Sequence, residues 1–196
     1  MRKSSTIVLT VLCALISSCA TSSWSDQERS LINAAHYSRM RLTTIDNRPD
    51  SLLLRTPSAP LSAEDIQSPI FGRLAASMIE TVCDENNRGV GIAAPQVGIL
   101  RRMVAVQRLD KPGEPFEIYV NPTIVWRSQE CAVGGEGCLS VPDQRGQVSR
   151  SVAIEIDYND ALTFEPRHER IEGFVAVIFQ HEIDHLDGVL YIDRAE

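Results

Sequence analysis

The sequence predicts an α+β fold: a single domain of mixed, mainly antiparallel strands around a buried C-terminal helix carrying an H-E-x-x-H pattern. Three observations predict it. The chain has 196 residues, 43% hydrophobic and 23% charged, which is the composition of one ordinary globular domain long enough to bury a core. From Ile99 onward strand-like runs dominate: "ILRRMVAVQ" (99–107), "FEIYVNPTIVW" (116–126) and "SVAIEIDY" (151–158), each bounded by Gly, Pro, Asn or Asp. Then "GFVAVIFQHEIDHLDG" (173–188) reads as a helix whose first half is apolar nearly all round, so it belongs inside the domain; Gly188 suits the position past its end.

The first residues differ from the rest. Arg2 and Lys3 precede an apolar run from Ile7 to Ile16, followed by small residues up to Cys19. This is the layout of a signal peptide over residues 1–18, with a run too short for a permanent membrane helix. "ISSC" (16–19) matches a bacterial lipobox, which predicts a lipid anchor on Cys19 and a cell-envelope location. An ordinary secretory signal is the plainer alternative. A start at Met40 is another; it would keep every motif below and leave the protein cytoplasmic.

Residues 19–50 read as a tether or accessory segment before a domain at 51–196. Within it Ser25 and Glu28 have capping-box spacing, and Leu31, Ile32 and Ala35 form a weak apolar face. "RPDS" (48–51) is expected to end that helix, and "LLLRTPSAPL" (52–61) to lead into the domain as extended chain. Ser68-Pro69 is a helix start, and Phe71, Leu74, Ala75, Met78, Ile79 and Val82 continue it as a core-facing stripe until "DENNRG" (84–89). After the last helix, "VLYID" (189–193) reads as a short final strand.

Without Arg2 and Lys3 the chain carries 17 basic against 26 acidic residues. Such a body has no electrostatic footprint for nucleic acid or an anionic membrane, so contact with a membrane is expected only through lipid on Cys19. Cys13 lies in the signal and Cys19 at its lipid site, which leaves Cys83, Cys131 and Cys138 in the domain. An odd number is a poor disulfide framework.

The chemistry gathers in "QHEIDHLDG" (180–188). Residues i and i+4 of a helix share a face, so His181 and His185 can both present a nitrogen to the same metal ion at about 2.0–2.1 Å. Glu182 then faces the open coordination position as a proton carrier. A hydrolytic metal wants a third protein ligand. Tyr191 stands where a third histidine of the metzincin pattern would fall, and too little chain follows for a distant glutamate. Upstream, "GGEGCLSVP" (134–142) places Cys138 on what reads as a Gly-rich turn; a lone cysteine is ordinarily packing, but a thiolate is a strong ligand for zinc or iron. "GVGIAAPQVG" (89–98) combines small residues, which allow close backbone approach, with Gln96, whose amide can donate to an oxyanion. It lacks the spacing of a dinucleotide fingerprint.

Together "GVGIAAPQ" (89–96), "EGCLS" (136–140) and "HEIDH" (181–185) resemble the three motifs of the peptide deformylase family, complete and in order, over a stretch from about Leu52 to Arg194. The resemblance implies Cys138, His181 and His185 as ligands of one divalent metal ion (Fe²⁺ or Zn²⁺, with Ni²⁺ or Co²⁺ as alternatives) and Glu182 as acid/base. It implies that Gln96 and the Leu139 N–H hold the carbonyl oxygen, and that Val90, Gly91, Val177 and Ile178 line the substrate pocket. Glu136 and Asp184 would steady the ligands. The substrate implied is an N-formylmethionyl peptide, released as peptide and formate. An exported, lipid-anchored member would not meet chains on the ribosome, so ribosome docking is not expected and Zn²⁺ is favoured over oxidisable iron. Two other functions fit an envelope location: an amidase on other acylated peptides, or a non-catalytic metal-binding lipoprotein.

Overall fold

A computed structural model describes residues 23–195. The expected signal peptide and the lipid site at Cys19 lie outside the described residues. Five helices and seven strands follow in the order α1 (Asp26–Ala35), α2 (Arg48–Leu54), α3 (Ala63–Gln67), α4 (Pro69–Cys83), β1 (Gly91–Ala93), β2 (Met103–Gln107), β3 (Phe116–Arg127), β4 (Cys131–Cys138), β5 (Val141–Ser151), β6 (Ala153–Asp160), β7 (Pro166–Glu172) and α5 (Gly173–Leu186). The larger sheet runs β1-β2-β3-β6-β7, and β4 pairs with β5 in a separate hairpin. Every pairing between named strands is antiparallel.

Strand side chains alternate between faces, and here both faces are covered. Ile92, Met103, Ala105 and Val120 join a core with Leu74, Met78 and Val82 of α4. Ala93, Val104, Val106 and Tyr119 point the other way, into a core with Val175, Phe179 and Ile183 of α5. Helix α5 is therefore buried, as its apolar first half predicts, and it carries Gln180, Glu182, Asp184 and His185 into the interior with it. Gly188 takes φ +75°, and a Cβ there would lie 2.5 Å from the Arg55 carbonyl oxygen, so only glycine fits.

Several local expectations change. "RPDS" opens a helix instead of ending one: Asn47 caps α2 by accepting the Asp50 N–H at 3.2 Å, and Pro49 sits in the first turn, where its missing N–H costs nothing. The first three residues of "LLLRTPSAPL" accordingly belong to α2. "VLYID" forms a 3-10 turn at Tyr191–Asp193, not a strand. The Gly-rich stretch at Cys138 is the end of β4, and the turn proper is Leu139–Ser140. The region 24–50 takes its accessory-helix form and is no free tether. The capping box of α1 is complete, with Glu28 N–H on Ser25 at 3.2 Å and Ser25 N–H on Glu28 at 2.7 Å. Trp24, Ile32 and Met40 are buried in the same core as α4.

Candidate metal centre

Helix α5 presents both imidazoles to one side, with ring centroids 5.1 Å apart. Cys138, the last residue of β4, faces them; its Sγ is 3.2 Å from His185 Nε2. The ligand atoms of Cys138, His181 and His185 all lie within 4.8 Å of one another. One thiolate and two imidazoles make a donor set suited to zinc or ferrous iron, and three protein ligands leave a position open for chemistry.

Behind this triad lies a buried ionic chain. His181 Nδ1 donates to Glu136 Oε2 at 2.8 Å, which turns Nε2 toward the site. Arg150 grips Glu136 through Nε and Nη2 at 2.8 and 3.1 Å, and reaches Asp184 through Nη1 at 2.6 Å. Arg194 holds Asp184 from outside at 2.6 and 2.7 Å. The Tyr191 ring stacks on His181 with centroids 6.0 Å apart. Glu136 thus contacts His181 directly, while Asp184 is linked to it through Arg150. Arg150 lies in a polar strand that marks no site, and the sequence assigns no role to Arg194 or Tyr191.

The charges answer to this setting. Burial pushes the Glu136 carboxyl up, but the bonds from His181 and Arg150 outweigh it and hold its pKa near about 2. Burial likewise opposes charge on His181, yet the Cys138 sulfur and Glu136 raise it to about 10. A metal ion has to displace that proton, so binding weakens as pH falls. Burial takes His185 well below its ordinary value, as a neutral ligand requires. Its Nδ1 has no hydrogen-bond partner.

Glu182 has no ion-pair partner on this wall. It is 4% exposed, its Oε2 is buried without a hydrogen bond, and burial lifts its pKa to about 7. An unpaired buried carboxyl is expensive unless something outside the chain completes it. Opposite, Gln96 sits in a 3-10 turn, Ala94–Val97. Its Oε1 accepts the Ala93 N–H at 2.8 Å, which orients Nε2 toward Cys138 Sγ at 3.4 Å. Gly91 lies against Glu182: a Cβ there would be 2.6 Å from Glu182 Oε1 and 2.8 Å from Ile178 Cγ2. All of this borders a cavity of about 780 Å³, which Val90, Gly91, Leu139, Val177 and Ile178 also line. Exposed Phe174 and Arg145 stand at its rim.

The family model for polypeptide deformylase matches residues 42–196. The chain belongs to the peptide deformylase family. A peptide deformylase of Leptospira biflexa is 41% identical over 149 residues, 72% of this chain and 82% of that one. Among solved structures, the class I type b peptide deformylase of Acinetobacter baumannii bound to Met-Ala-Ser is 36% identical, with a TM-score of 0.70 over 81% of this chain and 99% of its own. The Thermotoga maritima peptide deformylase is 34% identical, with a TM-score of 0.70 over 81% and 98%. The α+β fold and its C-terminal helix are thus those of peptide deformylases, which are enzymes using one divalent metal. Helix α1 lies before the matched stretch.

Proposed function

We propose that this chain hydrolyses the formyl amide of N-formylmethionyl peptides, releasing formate and a peptide with a free N-terminus. The observation that carries the reading is the buried, unpaired carboxyl of Glu182 beside Cys138, His181 and His185 at a peptide-sized cavity. Cys138, His181 and His185 would hold a divalent metal, which would supply a lowered pKa for water and polarisation of the carbonyl. Glu182, with its pKa near about 7, accepts a proton as water attacks the formyl carbon. The Gln96 amide and the Leu139 N–H donate to the oxygen as it gains charge, each such donor being worth about 2.7–4 kcal/mol in another hydrolase. Glu182 then returns the proton to the departing amine. Val90, Gly91, Val177 and Ile178 hold the peptide along the cavity wall, consistent with a Met-Ala-Ser peptide in the Acinetobacter relative.

A purely structural metal site needs neither Glu182 nor Gln96, which disfavours a non-catalytic lipoprotein. Formate release from formyl-Met peptides is the test. Metal-loaded wild type should turn over and Glu182→Gln should not; equal rates would end the reading. We further propose that the native protein is anchored by lipid on Cys19 in the cell envelope and holds Zn²⁺. Support comes from the lipobox "ISSC" and from the sensitivity of thiolate-bound ferrous iron to oxidation. Mass spectrometry should find a diacylglyceryl-Cys19 N-terminus, and metal analysis of protein from its own host should find zinc. A start at Met40 or predominant iron would overturn these two statements.

A further inference from the structure

Residues 23–40 precede the family match, yet they close on a buried arginine next to the turn that carries Gln96. Arg101 is 9% exposed. Its guanidinium meets Glu28 Oε1 and Oε2 at 2.6 and 3.0 Å, Ser23 Oγ at 2.8 Å and the Ser23 carbonyl at 2.7 Å. It also lies 5.1 Å from the centroid of the buried Trp24 ring. The segment is pinned again at its far end, where the Met40 N–H bonds to Thr81 Oγ1 at 2.8 Å.

Between and beyond these anchors the same stretch touches the site. Leu31 Cδ2 is 3.4 Å from where a Cβ of Gly98 would lie, at the end of the Gln96 turn. Leu42 lines the cavity. Thr43 bonds two carbonyls of that turn: its N–H reaches Gln96 O at 2.9 Å and its Oγ1 reaches Pro95 O at 2.8 Å. The Ile45 N–H then binds the Ser140 carbonyl at 3.0 Å, in the turn that presents Leu139. Backbone hydrogen bonds from 43–45 thus join the two oxygen-binding arms, and α1 fixes the chain from which they come.

We propose that residues 23–40 are a positioning element of the site: a clasp, closed by Glu28 and Trp24 on Arg101, that holds the Gln96 turn in register. Small displacements of a transition-state donor are costly, so the effect falls on turnover and not on metal binding. The inference rests on the deformylase reading for its kinetic test, but it also makes a claim about backbone order that needs no substrate.

The experiment is a double-mutant cycle in the full chain, with Glu28→Gln, Gln96→Ala and both. Glu28→Gln should keep a full complement of metal, lower kcat by about five- to tenfold and leave KM within about twofold, whereas in the Gln96→Ala background it should cost less than about twofold. Equal losses in both backgrounds, or no loss at all, would overturn the clasp as a positioning device. Hydrogen exchange gives a second readout: in Glu28→Gln, amides at 43–45 and 98–103 should accelerate clearly more than those of α5. Acceleration by the same factor throughout, with no excess at 43–45 and 98–103, would mean loss of global stability alone and would also overturn it. Should wild type show no turnover, the functional reading fails by itself, and the exchange pattern alone decides the clasp.

Discussion

On the helix side of the cavity, His181, Glu182 and His185 stand on a buried helix backed by Glu136, Arg150, Asp184 and Arg194. On the loop side, Gln96 and Leu139 sit in two short turns with no ion pair of their own, joined by backbone bonds to Thr43 and Ile45. The helix side sets charge states: carboxylates and guanidinium groups in a dry interior decide which groups carry protons. The loop side sets distances, and it does so with small residues and main-chain atoms that leave no room for adjustment. Glu182 is where the two meet, its pKa lifted by burial in one wall and its carboxyl confined by Gly91 of the other.

That contrast can be broken at graded cost. The largest effect is expected at Glu182: its change to Gln keeps the shape and removes the proton carrier, so kcat should fall by about 10²–10⁴-fold with metal content unchanged. Next comes Arg150→Met, which leaves the Glu136 charge buried without its main partner. Breaking a buried ionic group in this way should destabilise the fold by about 3–5 kcal/mol and weaken metal affinity by about 10–100-fold. Denaturant melts and metal titration measure both, and an unchanged affinity would show that the ionic wall is scaffolding alone.

Gly91→Ala tests the loop side. The new methyl would press on both Glu182 and the buried Ile178 Cγ2, so stability should fall by about 1–3 kcal/mol while kcat drops by about 10²-fold from misplacement of the carboxyl. A loss of stability without loss of turnover would reverse the distinction between the walls. The smallest effect concerns pH. Burial raises the Glu28 carboxyl, but Arg101 and Ser25 outweigh it and keep the folded-state pKa below the ordinary value. The stabilisation is therefore present above the unfolded pKa of about 4.3 and is lost as pH falls through the lower folded value, with a size of about 1 kcal/mol for this partly buried pair. Thermal midpoints of wild type and Glu28→Gln should differ at pH 6 and converge below pH 4.

What was legible followed from short-range chemistry. His181 and His185 share a helix face by spacing alone, and an apolar run around them predicts burial of that face. Ser68-Pro69 marks a helix start because capping is local. The hairpin β4–β5 and strand β7 were missed for the same reason in reverse. "CAVGGEGC" and "PRHERIE" are glycine-rich or charged and mostly exposed, so neither alternates apolar with polar, and only pairing across the sheet makes them strands. "RPDS" was misread because proline ends a helix from inside but starts one from its first turn, and the difference lies in a cap that Asn47 supplies.

By itself, then, the sequence determined the candidate ligand types, the helix that carries two of them and the candidate proton carrier between them. Those are properties of spacing within one turn and of the donor atoms themselves. The tertiary structure decided that Cys138 closes the triad from a strand end, that Arg150 joins Glu136 to Asp184 behind it, and that α1 clasps Arg101 beside the Gln96 turn. These contacts join residues 14 to 73 positions apart. Such pairings leave no periodic trace, because burial and charge compensation are satisfied by whichever partner the fold brings near.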